Sequence, residues 1–381
     1  MFLASVSWNQ VVPFLPTFLR EIGVGKNLYF WSGAIFAAPA IASILAMPFW
    51  GKMGDKYGRK PMIIRAGIFL IIIYFGMSFC HTPWQLVILR FLNGALTGFI
   101  PGSVTLIATN TPQEEAPKSV AIAQSFAAAG QIVGPSIGAL LAGLAGYRGS
   151  MRISGTAVLI STILVYLLVK EPNKTAPADK TSLFQDFKIS LRSPVMASVM
   201  VAVLLQGAFV QAINPFLRLH METMGGNADL STGMVIALPA LAFVVTAYLW
   251  TRFGETWGYS RAILTGLVGC AIITAGLTLA QNIWSFSILY FGAGIFLASI
   301  NPSMGAIIVN KVDQDFRGRA YGMQYSASML GAFVAPVAAS RVASAYGIPS
   351  IFTSIGIVFL AGALIFSGMV KRWDKAPPQS E

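Results

Sequence analysis

Charged residues are rare in this 381-residue chain, yet several of them share one short segment with three glycines. Only 10% of the residues are charged, whereas 55% are hydrophobic. The residues of interest in this segment are Gly51, Gly54, Asp55, Gly58, Arg59 and Lys60. Glycine lets helix ends approach closely, a carboxylate stabilises the positive end of a helix dipole, and a guanidinium binds a carboxylate through paired hydrogen bonds. We therefore expect an ionic gate that holds helices together and can be opened.

A second polar group lies inside the apolar stretch LVILRFLNGALTG, residues 86–98, which contains Arg90 and Asn93. An arginine within hydrocarbon costs about 2.5–3.5 kcal/mol on insertion scales, so it normally faces a cavity or a partner. Alternatively, Arg90 extends its side chain to the nearby membrane interface, since it lies only six residues past Trp84. The first alternative predicts a role in binding or in moving charge.

The third pattern is a set of small residues in the stretch GQIVGPSIGALLAG, residues 130–143. Gly130, Gly134 and Gly138 recur at every fourth position, and Pro135 adds a local bend. This spacing places the three glycines on one helix face, which predicts a close helix crossing.

Apolar runs long enough to cross a membrane surround these residues. The mean hydropathy is +0.69, and about 20 apolar residues as a helix cross the roughly 30 Å hydrocarbon layer. Lipid offers no partner to backbone polar groups, so each run must be helical. The predicted spans 1 to 12 are residues 2–20, 30–50, 61–80, 84–107, 118–145, 150–169, 195–220, 231–251, 262–281, 284–308, 320–344 and 349–370.

The net charge of +12 does not indicate a nucleic acid partner, because most of the lysines and arginines lie in loops on one side of the spans. By the positive-inside rule that side is cytoplasmic, so both termini are predicted to be cytoplasmic in the cell (inner or plasma) membrane. The charge of segment 51–60 could serve this orientation alone. Cys80 and Cys270 lie in separate spans, which predicts neither a disulfide nor a metal site. Because span 1 begins directly at Met1, we expect the natural chain to start upstream.

The chain repeats itself with a shift of about 200 positions. Trp50 matches Trp250, Gly58 matches Gly258, and Pro101 matches Pro302. We predict an all-α membrane protein of twelve transmembrane helices in two pseudo-symmetric six-helix bundles, with a site between repeats near the membrane midplane. The predicted domains are an N-terminal bundle (1–169), a cytoplasmic linker (170–194), a C-terminal bundle (195–373) and a cytoplasmic tail (374–381).

The motifs resemble those of the major facilitator superfamily. GKMGDKYGRK, residues 51–60, is similar to its loop signature G-x-L-x-D-R-x-G-R-K, and residues 86–94 are similar to L-x-x-x-R-x-x-Q-G with Asn93 in place of Gln. The resemblance implies that Asp55 and Arg59 belong to a cytoplasmic gate and that Arg90 takes part in proton coupling or substrate binding. The family places a carboxylate for the gate arginine near the end of span 4; here Glu114 and Glu115 in the next loop are the nearest substitutes.

The glycine pattern in span 5 resembles the antiporter signature G-x-x-x-G-P-x-x-G-G of the same superfamily. Gly130, Gly134, Pro135 and Gly138 match it, and Ala139 replaces its last glycine. The resemblance is to the twelve-span drug–proton antiporter branch, whose signature marks exporters. It therefore implies efflux rather than uptake.

Candidates for the titrating group lie outside the middle of the spans, since none of the fourteen acidic residues is there. We expect Glu21 or Glu222 to titrate, coupled to Asp55 and Arg90. His81 and His220 are alternatives near the predicted outer face.

Polar and aromatic residues within the spans are candidates to line a substrate cavity. They are Asn9, Gln10, Phe14, Arg90, Asn93, Gln124, Gln206, Gln211, Asn214, Tyr290, Gln324 and Tyr325. A mostly apolar pocket with few polar groups binds many amphiphiles. Alternatively, amides join helices and aromatics fill the core.

We expect a monomeric, proton-driven exporter of small amphiphilic drugs that works by alternating access in the lipid bilayer, without a cofactor beyond the proton gradient. No G-x-x-x-x-G-K-[ST] motif for ATP occurs. The alternative is an exporter or symporter for a specific metabolite such as a sugar or organic anion. A membrane enzyme would need a nucleophile–base pair or a metal cluster, which the sequence does not supply, and the gate motifs disfavour a sensor.

Overall fold

The computed structural model describes residues 1–112, 114–171, 193–225, 228–312 and 316–373. Within these ranges helices joined by short turns account for almost the whole chain. The helices of the first six spans are Phe2–Val11, Leu15–Glu21, Leu28–Tyr57, Arg59–Ser78, Pro83–Leu96, Phe99–Asn110 and Ala116–Leu168, with a 3-10 helix at Val12–Phe14. The later helices are Pro194–Thr223, Ala228–Trp257, Tyr259–Leu277, Ile283–Leu297, Ile300–Lys311, Arg317–Tyr346 and Pro349–Trp373.

The helices coincide with the twelve predicted spans. In the described part of the chain, nine helical stretches are long and apolar enough to cross a membrane, and Lys118–Leu168 contains both span 5 and span 6. Span 1 is interrupted by its 3-10 helix and span 4 is divided after Leu96, so neither presents one long helix. Nine long stretches correspond to twelve spans because spans 5 and 6 share one stretch and the interrupted spans 1 and 4 are not among the nine.

Span 5 continues into span 6 without a loop. The only non-helical residue in Ala116–Leu168 is Gly146, with φ +70° and ψ 172°. Glycine tolerates a positive φ at little cost because it has no Cβ. One residue therefore makes the reversal for which the sequence predicted a short loop.

The internal repeat is visible in two matching hydrogen bonds from tryptophan side chains to backbone carbonyls. The indole Nε1 of Trp50 donates to the Ala95 carbonyl at 2.6 Å, and Trp250 donates to the Ile295 carbonyl at 2.7 Å. Each pair joins the second span of its half to the fourth, and the two pairs are 200 positions apart. The predicted repeat is confirmed at the level of individual hydrogen bonds.

Contacts between Cα atoms divide the chain into two units. The first is Met1–Asp179 with Asn214–Ala237, and the second is Lys180–Ile213 with Leu238–Glu381. The predicted bundle boundaries at 169 and 195 remain a prediction. Most of the predicted linker (residues 172–192) and the predicted tail (374–381) lie outside the described residues.

Each unit has its own buried core. Phe18 and Phe36 are fully buried in the first unit, and Phe209, Phe286 and Phe359 are fully buried in the second. Many large apolar side chains elsewhere remain exposed, as expected for helices whose outer surface faces lipid.

Candidate functional site

The gate segment ends in a one-residue joint. Span 2 ends at Tyr57 and span 3 begins at Arg59, so Gly58 alone connects them, with φ +99°. The carboxylate of Glu171 accepts hydrogen bonds from the backbone N–H of Arg59 at 2.6 Å and of Lys60 at 2.8 Å. An anion at this helix N-terminus satisfies unpaired donors and complements the helix dipole. The Lys60 ammonium donates to the Tyr166 carbonyl at 2.8 Å, which also ties span 3 to span 6.

The sequence analysis missed Glu171. The gate carboxylate was expected near the end of span 4, and its nearest substitutes, Glu114 and Glu115, are exposed. An available signal was the position of Glu171 directly after span 6, at the same predicted membrane face as segment 51–60.

Arg59 lies across Gly54. A Cβ atom on Gly54 would be 2.8 Å from the Arg59 Nη1, and a Cβ on Gly254 would be 2.4 Å from the ring of Tyr259. Both halves thus use a glycine to let a longer side chain cross the preceding helix. Gly51 has no atom near its Cβ position, and the side chain of Asp55 lies outside what the structure describes.

Arg90 is buried within the first unit rather than extended to the interface. Its residual exposure is 3%, its Nε donates to the Ile35 carbonyl at 3.0 Å, and its guanidinium lies 5.3 Å from the centre of the Trp8 ring. Among the described residues, none of the ion pairs involves Arg90. Within the described part of the chain, a carbonyl dipole and an aromatic face stabilise the positive charge.

Asn93, one turn after Arg90, is fully buried, and neither its amide nitrogen nor its amide oxygen has a hydrogen-bond partner in the structure. A buried amide without partners is costly, so it is a strong candidate for contact with a ligand or a water molecule.

The glycine face of span 5 packs directly against span 1. A Cβ atom would lie 2.8 Å from the Phe2 carbonyl oxygen at Gly130, 2.8 Å from the Asn9 Cβ at Gly134 and 2.1 Å from the Gln10 carbonyl oxygen at Gly138. Pro135 lies inside the same helix. The close crossing that the spacing predicted is therefore present.

Two cavity candidates from span 1 line one small cavity. Gln10 and Phe14 line it together with Val11, Tyr147, Ser150 and Met151, and its volume of about 10 Å³ suits roughly one water molecule. Gln10 also donates to the Ser154 hydroxyl, and Asn9 donates to the Ser5 carbonyl at 2.8 Å. Both amides therefore make hydrogen bonds to helix residues.

The other cavity candidates differ in their surroundings. Tyr290 is buried between the rings of Phe209 and Phe286, at 6.1 and 5.7 Å between centroids, so it belongs to the core of the second unit. Gln124 and Tyr325 are exposed, whereas the remaining amides are partly buried: Gln206, Gln211, Asn214 and Gln324. The described contacts do not bring all these candidates into one lining.

The candidate acids at the predicted outer end are paired with arginines. Glu21 accepts from the Arg148 Nε at 3.3 Å. Glu222 is 2.5 Å from Arg20 and 2.7 Å from Arg218.

Arg218 also pairs with Asp229, an acid that the sequence analysis did not select. Its position just before the apolar part of span 8 was the only available signal. Of the alternative titrating groups, His81 is exposed and His220 is buried.

Known proteins resemble this chain over its whole length. The model of the Major Facilitator Superfamily matches residues 1–242 and 226–381. A protein named Multidrug resistance protein MdtG from Salmonella paratyphi C is 26% identical over 379 residues, covering 97% of this chain and 93% of that protein. The protein of the same name from Proteus mirabilis is 27% identical, with 98% and 92% covered.

Solved structures share the fold. The crystal structure of the nucleoside transporter NupG has a TM-score of 0.81 at 15% identity and covers 97% of each chain. A bacterial homolog to the human lysosomal transporter Spinster, in an inward-facing and occupied conformation, has a TM-score of 0.82 at 12% identity, with 99% of this chain and 96% of that chain covered. With the apolar helices, these relatives indicate an integral inner membrane protein. The chain belongs to the Major Facilitator Superfamily.

Proposed function

We propose that this protein exports small amphiphilic drugs in exchange for protons by alternating access. The observation that carries the proposal is the glycine face of span 5, which packs against span 1 at backbone distance and matches the antiporter signature. The relatives named as multidrug resistance proteins support the same function.

The substrate chemistry follows from Arg90. Among the described residues Arg90 has no carboxylate partner, and such a buried cation favours an anionic, zwitterionic or neutral substrate over a permanent cation. The Asn93 amide, which has no hydrogen-bond partner among the same residues, can donate to or accept from a polar group. Aromatic side chains such as Trp8 offer a face to rings or to alkyl chains. We propose that Arg90 and Asn93 form the polar part of the substrate site.

The proposed energy source is the proton gradient, which supplies about 2.3 kcal/mol per charge for each 100 mV. Arg90 cannot release a proton near neutral pH, so another group carries the proton, with His81 and His220 as the alternatives to a carboxylate. We propose Glu21, Glu222 and Asp55 as the candidates. Proton-driven transport that survives in the Glu21→Gln/Glu222→Gln double variant would assign the role to Asp55 or to another group.

The decisive test uses inverted membrane vesicles that contain the protein. A proton gradient is imposed, and dyes, quinolones and phosphonates are screened for uptake into the vesicles. We expect uptake of several unrelated compounds that collapses when a protonophore is added, and no uptake in vesicles with the Arg90→Ala variant. Uptake limited to one metabolite would favour the alternative, a specific metabolite exporter. Uptake that is insensitive to the protonophore would exclude proton coupling.

We further propose that both termini and the Gly58 joint face the cytoplasm. This orientation rests on the distribution of lysine and arginine.

A further inference from the structure

Five side chains at the predicted outer end form a continuous series of polar contacts, which we call the outer ion chain. In order they are Arg20, Glu222, Arg218, Asp229 and Tyr147. Glu222 accepts from Arg20 at 2.5 Å and from Arg218 at 2.7 Å. Arg218 also donates to Asp229, and the Tyr147 hydroxyl lies 3.2 Å from both carboxylate oxygens of Asp229. Positive and negative groups alternate along the chain, so its two arginines and two acids balance.

The two ends of the outer ion chain come from a different half of the sequence than its middle. Arg20 ends span 1, and Tyr147 begins span 6 directly after the Gly146 reversal. Arg218, Glu222 and Asp229 belong to spans 7 and 8. All five lie in the first contact unit. Two contacts, Arg20–Glu222 and Tyr147–Asp229, therefore connect the first predicted half to the second.

Close packing accompanies these polar contacts. A Cβ atom on Gly233, one turn after Asp229, would lie 2.7 Å from the Pro135 carbonyl oxygen in span 5. The rings of Tyr29 and Phe216 meet edge to face at 6.0 Å. The helix ends are thus held together by backbone and apolar contact as well as by charge.

Arg218, in the middle of the outer ion chain, is more buried than Arg20 at its end and contacts two acids. Its side chain is 9% exposed, compared with 46% for Arg20. It binds both acids of its own half and so presents them to Arg20 and Tyr147. When the ends separate, Arg218 keeps both of its partners, and no buried charge is left alone, which would be costly. The chain can therefore part at its two ends and close again.

A neighbouring ion pair provides a natural comparison. Glu21 pairs with Arg148, whose guanidinium also donates to the carbonyls of Ser78 at 2.6 Å and Cys80 at 2.8 Å. All four residues belong to the first predicted half. This pair braces one bundle and does not connect the two halves.

We propose that the outer ion chain is the latch of the outer gate: it keeps the predicted outer face closed in one state of the cycle and parts at Arg20–Glu222 and Tyr147–Asp229 when the cargo leaves. Arg218 is the positioning residue of this latch. The inference rests on alternating access, as proposed above.

The test measures the distance between the outer ends of the two halves. Spin labels are attached at His81→Cys and Gln281→Cys, exposed positions 200 residues apart, in full-length protein whose buried Cys80 and Cys270 are replaced by alanine. Pulsed electron spin resonance on protein in lipid nanodiscs gives the distance distribution. We expect the Arg20→Gln/Tyr147→Phe variant to raise the ratio of long to short distances by about three- to tenfold, because it removes both connecting contacts and leaves the Arg218 pairs intact.

Arg148→Gln is the matched control, since it removes the Glu21–Arg148 ion pair at the same end within one half, and it should leave the distribution unchanged. Arg218→Gln should shift the distribution at least as far as the double variant, and thermal unfolding shows whether each variant is folded. Equal distributions for the double variant and the parent, or an equal shift in Arg148→Gln, would overturn the latch. Vesicle uptake is measured separately: a shifted distribution in a protein that moves no drug retains the latch and contradicts the proposed function.

Discussion

At the scale of the residue, the contacts that the structure describes around the buried guanidinium of Arg90 are with uncharged groups. Its partners in the described part of the chain are the Ile35 carbonyl and the Trp8 ring, and neither carries a formal charge. Burying a cation in such surroundings costs free energy unless a negatively charged group pairs with it. The arrangement therefore fits the proposed substrate site, in which a negatively charged group of the substrate would pair with Arg90.

The first prediction concerns the shape of this cation. We expect Arg90→Lys to lower vesicle uptake by about tenfold or more, because an ammonium cannot reproduce the planar guanidinium that bonds a carbonyl and covers an aromatic ring. The measurement is initial uptake at several drug concentrations, normalised to the amount of protein in the membrane. Uptake equal to that of the parent would show that only the charge matters.

The second prediction concerns Glu171, whose carboxylate caps span 3. We expect Glu171→Gln to destabilise the protein by about 1 kcal/mol, since a charged acceptor at a helix N-terminus is replaced by a neutral one. Thermal unfolding in detergent measures the effect. Glu115→Gln is the control, because Glu115 precedes a helix without making a side-chain cap bond. A similar loss in both variants would contradict the cap.

The sequence predicted some single residues well and missed others for a physical reason. Gly58 follows from local pattern alone, because a φ of +99° between two helices strongly favours glycine. Glu171 and Asp229 act on partners 112 and 11 positions away, respectively. Such contacts depend on how helices pack, which local pattern does not specify.

At the scale of the element, the span 5 glycines set how closely two helices approach. The same contact recurs in the second half, where a Cβ atom on Gly331 would lie 2.2 Å from the Leu204 carbonyl oxygen. Four-residue spacing predicted the face, but only the structure identifies span 1 as its partner.

The third prediction tests this crossing. We expect Gly138→Ala to cost about 1–3 kcal/mol, as overpacking does in a tight core, and to reduce uptake, because the new methyl group would overlap the Gln10 carbonyl oxygen. Thermal unfolding and vesicle uptake are measured together. Gly143→Ala, on the same helix with open space around its Cβ position, should behave like the parent. If both variants lose stability equally, helix flexibility rather than the crossing is responsible.

The division of span 4 is a feature that hydropathy could not predict. The helix ends after Leu96, and Gly98 has φ +125°. The carbonyls that the break leaves near its C-terminus receive side-chain donors, Ser43 on Gly94 at 3.1 Å and Trp50 on Ala95 at 2.6 Å. Apolar composition continues through the break, so the sequence predicted one uninterrupted span.

At the scale of the whole molecule, the number of spans was predictable because lipid permits little besides helices. The division into contact units was less predictable, since Asn214–Ala237 belongs to the same unit as Met1–Asp179. Hydropathy identifies which segments cross the membrane, whereas contacts between the ends of these segments depend on how the helices pack.

The fourth prediction concerns orientation. A membrane-impermeant maleimide added to intact spheroplasts should label His81→Cys and spare Lys52→Cys, because the lysine-rich segment 51–60 is predicted to be cytoplasmic. Both positions are exposed, so burial does not decide the outcome. Opening the cells should then allow Lys52→Cys to react. The reverse pattern in intact cells would invert the proposed topology.

The paired bonds of Trp50 and Trp250 affect how such a chain can diverge. Each indole is anchored to a carbonyl oxygen, an atom that no amino-acid substitution can alter. Neighbouring positions are free to change, as Arg90 and its counterpart Tyr290 have done. Chimeras that join halves from distant homologues should therefore keep the internal geometry of each half, provided that each donor supplies its own tryptophan.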